Sequence, residues 1–330
     1  MKRSVYIFSD GELKRKENTL YVETETGKKF IPVENISEIL VFGEVSLNKR
    51  LLEFVTEKEV IIHFFNHYGF YVGSFYPREH FNSGYMLLKQ AEHYLEQGKR
   101  IVLAKKFVHG GVENMKRVLS YYQNRGRDLT YIVQTVENLS RSIDPCHTIE
   151  QLMAIEGNIK EQYYRAFDFI LESEEFRFEE RSRRPPKNRL NALISFVNSL
   201  VYVTCLSEIY KTHLDPRIGF LHATNFRRFT LNLDVAEIFK PVIGDRLIFH
   251  LINKNMLKAH DFEKKLDGLV LSARGRESVV REFDERLRTT IKHRKLNRHV
   301  SYRQLIRLEL FKLEKHLMGE VDYEPFVSPW

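Results

Sequence analysis

The chain has 330 residues, 43% of them hydrophobic, so it can bury a substantial core and is long enough for two domains. Its two cysteines, Cys146 and Cys205, form no CxxC pair, which argues against a disulfide framework or a zinc finger and favours a reducing, cytoplasmic setting. Lysine plus arginine number 52 against 44 for aspartate plus glutamate, and the formal charge of +8 favours polyanionic partners, chiefly nucleic acid.

Two segments bear on membrane association. The first apolar run, residues 5–8, is too short for a signal peptide. The longest uncharged stretch, residues 190–207, has nearly the length of a membrane span but contains polar side chains that would be costly in lipid. We therefore expect it to be the central buried helix of a protein that does not bind membranes.

The pattern of apolar residues predicts an α+β fold in two parts. Residues 1–76 contain short apolar or alternating runs separated by turn residues, as at 19–23, 29–33, 60–65 and 70–75, which indicates a small β-sheet or sandwich domain. Residues 77–85 form the predicted linker. Residues 86–330 have mainly helical periodicity and form a larger all-α domain. Helices are expected at about 86–107, 112–124, 128–142, 148–173, 188–211, 234–257, 276–293 and 301–318. A tail with exposed aromatic side chains is expected at 323–330.

Glu156 is an acidic residue placed where the sequence predicts an apolar helix face. It lies four residues after Leu152 and three before Ile159, and helical spacing puts all three side chains on one side. A buried carboxylate needs a partner, a proton or a metal. From the sequence alone, a pair with a buried arginine is as good an explanation as a metal ligand.

A second segment, residues 213–241, contains His222, Asp234 and Glu237. Asp234 and Glu237 are three residues apart and share a helix face, and Glu237 lies among apolar residues. Each has an ordinary alternative explanation: a packed histidine, or an acid favoured at a helix N-terminus. Together with Glu156 they form a carboxylate-rich set with one imidazole, which suits Mg²⁺ or Mn²⁺.

Basic residues cluster at 177–189 and 281–303, and further ones lie between or beside the acids. A metal bordered by arginine suits phosphodiester chemistry, because the metal offsets phosphate charge and the arginines hold the backbone. The alternative is that these basic clusters are ordinary solvent-exposed surface, especially where acidic residues lie among the basic ones. The predicted nucleic-acid contacts are Arg184, Lys187, Arg189, Arg227, Arg228, Lys240, Arg288 and Lys292.

Three separated motifs resemble one family. They are MAIEGNIKEQYY, RRPPKNRLNALISFVNSLVY and DPRIGFLH followed by RRFTLNLDVAEIFKP. In this order they resemble the CRISPR-associated integrase family, the catalytic subunit of the spacer-acquisition complex (CRISPR-associated protein one), most closely the forms found with type I-B systems. The chain departs from the family pattern at Ala223, Thr230 and residues 187–189. These differences remove no expected metal ligand but affect how DNA would be bound around the site.

The resemblance implies roles for the residues singled out above. It makes Glu156, His222 and Glu237 the metal ligands and Asp234 a further active-site acid, and all four would be catalytic. Tyr163, two turns beyond Glu156, would line the site. Residues 1–76 would form the dimerisation domain and 86–330 the metal-dependent catalytic domain. A homodimer would pair with a small ferredoxin-like adaptation protein.

The function implied is CRISPR adaptation in antiviral defence. A 3′-hydroxyl of double-stranded protospacer DNA would attack a phosphodiester of the CRISPR repeat, with a bound Mg²⁺ or Mn²⁺. Two alternatives stay open from the sequence. One is a general metal-dependent DNase acting on branched or linear DNA. The other is a non-catalytic DNA-binding module whose acids only balance arginines.

Overall fold

A computed structural model describes residues 3–77, 81, 83–182, 185–224, 229–265, 268–293 and 296–330. The chain divides into two compact units, Met1–Asn82 and Ser83–Trp330. The predicted α+β class is confirmed: strands dominate the first unit and helices the second.

In its described residues, the first unit contains two four-stranded sheets and one α-helix that share a core. Its elements are β1 (Arg3–Ile7), β2 (Gly11–Lys16), β3 (Thr19–Thr24), β4 (Gly27–Pro32), a 3₁₀ turn (Val33–Asn35), β5 (Ile36–Val41), β6 (Val45–Ser46), α1 (Lys49–Glu57), β7 (Ile61–Phe65) and β8 (Tyr71–Phe75). The strand orders are β1-β5-β7-β8 and β4-β3-β2-β6. Leu13, Leu20, Ile39, Phe54 and Ile62 are completely buried in the shared core.

The second unit is mainly helical. Its helices are α2 (Gly84–Leu95), α3 (Gln97–Gln123), α4 (Thr130–Ser140), α5 (Ile149–Leu171), α6 (Arg189–Ile209), α7 (Leu231–Phe239), α8 (Arg246–Asn253), α9 (Ala273–Arg288) and α10 (Tyr302–Leu317). Short 3₁₀ turns occupy Glu174–Phe176 and Ala259–Asp261, and a π-helical segment, Lys240–Asp245, joins α7 to α8. Two hairpins complete it: β9 (Phe262–Lys265) with β10 (Gly268–Leu271), and β11 (Thr290–His293) with β12 (Arg298–Ser301).

The predicted helix at 276–293 is therefore too long, and the predicted all-α domain also carries strands. The helix ends at Arg288, and β-branched residues Thr290 and Ile291 pair with β12 instead. Likewise the single helix predicted at 234–257 is interrupted by the π-helical segment after α7.

The uncharged stretch at 190–207 forms most of α6 and is the predicted core helix. By length and composition α6 could cross a membrane, but 83% of its apolar window is buried within the protein. Asn191 and Ser207 are completely buried in it. The pattern is that of a helix packed in a protein interior.

Helix α3 runs without interruption through Gly110 and Gly111, where the sequence predicted a break. The two glycines allow close packing. A Cβ atom at Gly111 would lie 3.0 Å from the carbonyl oxygen of Glu237, and one at Gly110 would lie 2.6 Å from Cβ of Pro325. The backbone of α7 at Glu237 can thus lie directly against α3.

The C-terminal tail is docked, so the prediction of exposed aromatic side chains at 323–330 is wrong for Tyr323. Its side chain is buried, and its hydroxyl donates to Glu309 at 2.5 Å. Asn114 of α3 donates to the carbonyl of Ile238 at 2.9 Å and to that of Phe326 at 3.0 Å. One amide therefore ties α7 and the tail to α3, which fixes the helix that carries Glu237.

Candidate active site

Glu156 and Glu237 come from different helices and meet at one buried lysine. Lys160 follows Glu156 by one turn of α5, and its Nζ lies 2.5 Å from Oε1 of Glu156 and 2.7 Å from Oε2 of Glu237. The side chains of the two acids are only 12% and 5% exposed. The Lys160 ammonium thus occupies the space between the two carboxylates.

The Lys160 ammonium is the shared partner of Oε1 of Glu156 and Oε2 of Glu237, and both oxygens are buried. Burial alone would raise the pKa of Glu237, but the ammonium groups of Lys160 and Lys240 hold this pKa well below its usual range. Two carboxylate oxygens that face a shared point are ligands that suit a hard cation.

Asp234 anchors the loop that carries His222. Its Oδ2 accepts the backbone N–H groups of Phe220 at 2.5 Å and Leu221 at 3.0 Å. Its Oδ1 accepts the backbone N–H of His222 at 3.0 Å and lies 2.7 Å from the imidazole Nδ1 of the same residue. Asp234 is completely buried. A carboxylate on Nδ1 fixes the tautomer that leaves Nε2 as an acceptor, which is how metal-binding histidines are held.

The charge around His222 is negative on balance. Burial alone would lower its pKa, but the hydrogen bond to Asp234 and the charges of Asp234 and Glu237 raise the pKa overall. Gly219 helps the loop to approach Asp234, since a Cβ there would lie 2.8 Å from Oδ2 of that acid. The sequence could not assign Asp234 a contact, and the geometry makes it the residue that positions His222.

If His222 binds a metal, as the family resemblance implies, replacing Asp234 with asparagine should weaken that binding. The amide offers only one acceptor oxygen to four N–H groups and cannot hold the same tautomer. We expect Mn²⁺ affinity and strand transfer to fall by about 10–100-fold, the usual cost of losing such a partner. Calorimetry with Mn²⁺ measures the first effect. Unchanged Mn²⁺ affinity would contradict this positioning role.

The predicted ligands are only partly assembled. Within the described residues, no three histidine, cysteine or acidic side chains form a group arranged to hold a metal ion. Glu156 and Glu237 are together because both contact Lys160, and Glu237 influences the pKa of His222. The chemistry of this donor set fits Mg²⁺ or Mn²⁺, provided that Lys160 moves from between the acids.

Two predicted site residues have other roles. Lys240, predicted to contact DNA, is buried: its Nζ lies 2.6 Å from Oε1 of Glu237 and 4.6 Å from the centre of the Tyr202 ring. Tyr163, predicted to line the site, is 1% exposed and donates to Oδ2 of Asp245 at 3.1 Å. Both side chains pack inside the protein, and the roles expected of them stay predictions.

Asp245 is a buried acid that the sequence did not single out. Burial raises its pKa from 3.8 to about 7, despite the hydrogen bond from Tyr163. The folded protein therefore retains a proton that the unfolded chain has already lost, and stability should fall as pH rises from about 4 to about 7. A pKa difference of this size lowers the free energy of unfolding by on the order of 4 kcal/mol.

Asp245→Asn should remove this pH-dependent penalty, because asparagine does not ionise and still accepts from Tyr163. We expect the variant to melt several degrees above the original protein at pH 8, with the difference shrinking towards pH 4. Thermal melting across that range is the measurement. An advantage that is constant with pH would contradict a protonated Asp245.

The other basic residues predicted to bind DNA have partners outside this buried cluster, are exposed, or lie outside the described part. Arg184, Arg227 and Arg228 lie outside the described residues. Lys187 pairs with Glu180 at 2.9 Å, Arg288 pairs with Asp284 at 2.6 Å, and the Arg189 guanidinium donates to the carbonyl of Glu175 at 3.3 Å. Lys292 is exposed on β11. Exposed ion pairs are weak, so these side chains stay available to phosphate.

Sequence reasoning missed two residues of the buried cluster, Lys160 and Asp245. Lys160 had a signal, since it follows Glu156 by four residues and so shares its helix face. Asp245 had none, because the π-helical segment shifts the helical register after α7.

Comparison with known proteins places these features in context. Residues 5–285 match the family model for CRISPR associated protein Cas1. The chain is 67% identical over 330 residues to CRISPR-associated endonuclease Cas1 2 of Thermodesulfovibrio yellowstonii, covering 100% of both chains. It is 53% identical over 317 residues to CRISPR-associated endonuclease Cas1 of Thermotoga maritima, covering 96% of this chain and 97% of that one.

Solved structures show the same fold. A CAS1 protein from Thermotoga maritima superposes with a TM-score of 0.88 at 49% identity, covering 98% of this chain and 99% of that chain. A casposase bound to integration product also gives a TM-score of 0.88, at 18% identity, covering 99% of this chain and 94% of that chain. The second likeness concerns the fold alone.

Proposed function

This chain belongs to the Cas1 family of CRISPR-associated proteins, and on that premise we propose that it is a metal-dependent DNA integrase and endonuclease of CRISPR adaptation. It inserts protospacer DNA into the CRISPR array. The observation that carries the proposal is the pair of buried carboxylates, Glu156 and Glu237, that share one cation position beside a histidine fixed by Asp234. The names of the relatives support nuclease activity in this family.

In this proposal Glu156, Glu237 and Nε2 of His222 hold Mg²⁺ or Mn²⁺. When bound, the metal offsets charge on the attacked phosphate and on the departing oxygen. The protein contributes preorganisation. Asp234 keeps the imidazole oriented, while Asn114 and the glycines of α3 fix the backbone beside Glu237. Lys160 supplies a positive charge to the two acids, which would hold a metal only with that side chain displaced.

The reaction is a transesterification. The 3′-hydroxyl oxygen of the protospacer forms a bond to a repeat phosphorus, and the bond from that phosphorus to the 3′-oxygen of the neighbouring repeat nucleotide breaks. Asp234 serves as a positioning residue and not as the proton acceptor, because its two oxygens already interact with four N–H groups. Hydrolysis would use the same residues with water as nucleophile.

The assembly belongs to the proposal as well. We expect a homodimer formed through the β-rich unit and a complex with a small ferredoxin-like adaptation protein on double-stranded DNA. One solved complex titled Cas6-RT-Cas1--Cas2 contains a chain with this fold, at a TM-score of 0.86 and 17% identity. Both described cysteines are free and buried, which suits the proposed cytoplasmic location.

Strand transfer separates this function from its two alternatives. The assay combines the purified protein, its small partner, Mn²⁺, a labelled oligonucleotide duplex and a plasmid carrying the repeat. We expect labelled plasmid as the product. A plain DNase would give only shortened fragments, and a non-catalytic module would give neither product.

A duplex with 3′-dideoxy ends is the matched control substrate. It lacks the attacking hydroxyl but binds through the same phosphates, so integration should disappear while any hydrolysis continues. Incorporation of label from the dideoxy duplex would contradict the proposed nucleophile.

A further inference from the structure

A cavity of about 340 Å³ lies where the end of α3 meets α8 and α9. It contains none of Glu156, Lys160, His222 or Glu237. The side chains that give it its character are cationic or aromatic: Tyr121, Tyr122, Arg125, Arg246, Lys254 and Arg286. Its volume falls within the range usual for small-ligand sites.

Arg286 carries a charge that this cavity does not neutralise. One guanidinium nitrogen, Nη2, donates to the carbonyl of Val242 at 2.7 Å, but Nε is buried and has no hydrogen-bond partner. Within the part of the chain that the structure describes, Arg286 makes no ion pair with a carboxylate. Burial lowers its pKa, and the nearby positive charge of Arg246 lowers it further. The guanidinium is partly buried and lies 5.0 Å from the centre of the Tyr302 ring, but it has no carboxylate partner among the described residues, so Arg286 favours an anion.

Arg246 contacts aromatic rings and, among the described residues, no acid. Its guanidinium carbon lies 4.4 Å from the centre of the Tyr121 ring and 4.2 Å from that of the Trp330 ring. Arg125 lies 4.4 Å from the same Tyr121 ring. Stacking orients a planar guanidinium but leaves its charge unneutralised. The contacts Arg125–Tyr121–Arg246–Trp330 thus place two fixed cations near Arg286.

The acids in the cavity wall do not supply the missing anion. Glu282 lies 3.3 Å from Arg281, so it already has a cationic neighbour. Glu285 is exposed. With histidine counted as neutral, the lining has a net charge of +2: the cations are Arg125, Arg246, Lys254 and Arg286, and the acids are Glu282 and Glu285.

We propose that this cavity binds a phosphoryl group, recognised by the guanidinium groups of Arg286 and Arg246. Guanidinium forks bind phosphate oxygens in pairs, which would compensate both charges at once. The group could belong to a free phosphate or to a phosphate of a DNA strand, since the chemistry is shared. The site is separate from the proposed metal centre and requires no metal.

Thermal melting in EDTA tests the proposal without the metal centre. Inorganic phosphate and a single-stranded oligonucleotide are titrated separately at constant ionic strength. The melting temperature of the original protein should rise with at least one of them, because a ligand that binds the folded state stabilises it. Arg286→Met should weaken the apparent affinity for that ligand at least tenfold.

Arg274→Gln is the matched control. Arg274 is exposed on the same helix and lies outside the cavity lining, so the response should stay that of the original protein. If Arg286→Met does not fold, Arg246→Gln carries the same test, since that side chain is partly exposed.

A response to phosphate identifies a free-anion site, and a response to the oligonucleotide alone identifies a contact for a DNA strand. Both support the proposal. It is overturned if neither ligand raises the melting temperature, or if the cavity variants respond like the original protein.

Discussion

Glu156→Gln should reduce strand transfer by at least about 100-fold, because loss of a mere supporting partner of a metal ligand already costs 10–100-fold. Glutamine keeps the shape of the side chain but lacks the charge that a divalent cation needs. DNA affinity should change by less than about twofold, since binding depends mainly on cationic side chains at phosphates. Initial rates and filter binding measure the two quantities.

Glu156 is a better test position than Glu237. Glu237 contacts both Lys160 and Lys240, so its replacement would leave two buried ammonium groups without that partner. Glu156 contacts Lys160, which keeps Glu237. Glu156→Gln should therefore remain folded, and its defect should be chemical.

Glu161→Gln is the control on the same helix. Glu161 is exposed and pairs with Arg165 at 2.7 Å, so its loss should leave strand transfer unchanged. Normal strand transfer by Glu156→Gln would favour the non-catalytic module, in which the acids only balance cations.

Lys160→Met should destabilise the metal-free protein and strengthen its response to metal. Removing one partner from a buried ion pair costs about 3–5 kcal/mol, and here two carboxylates lose their shared cation. The same change opens the space between them. Melting in EDTA should show the loss, and addition of Mn²⁺ should raise the melting temperature more than in the original protein.

Lys211→Met controls for loss of a lysine from a buried acid. Lys211 lies 2.9 Å from Glu208, but that acid keeps Arg303 and Arg307, so the destabilisation should be small. Mn²⁺ should then act as in the original protein. A Lys160→Met variant with an equal or smaller response to Mn²⁺ would show that Lys160 does not compete with the metal.

The sequence predicted those elements whose signals are local. Thr148 and Gln151 form a capping box at the start of α5, where the sequence predicted a helix from about residue 148, and that start sets the face on which Glu156 lies. The runs predicted as strands at 19–23 and 29–33 pair with each other as β3 and β4. β2 was not predicted because Lys14, Arg15 and Lys16 mask the alternation, and only Leu13 of that strand is fully covered.

The rest depended on contacts distant in sequence. The N–H groups that converge on Asp234 come from a loop 12–14 residues earlier, and no spacing rule predicts that closure. Tyr323 is buried because Glu309 accepts its hydroxyl, so composition alone could not distinguish a docked tail from an exposed one. Lys240 follows Glu237 by three residues and looks like a surface lysine in the sequence. Its contact with the ring of Tyr202, 38 residues earlier, is visible only in the structure.

The most direct test of the central claim is strand transfer by protein stripped of metal with EDTA, before and after Mn²⁺ or Mg²⁺ is restored. The 3′-hydroxyl duplex, the repeat plasmid and the small partner are present throughout. The account predicts no labelled plasmid without metal and recovery on its addition. Equal strand transfer with and without metal would contradict a catalytic metal held by Glu156, His222 and Glu237.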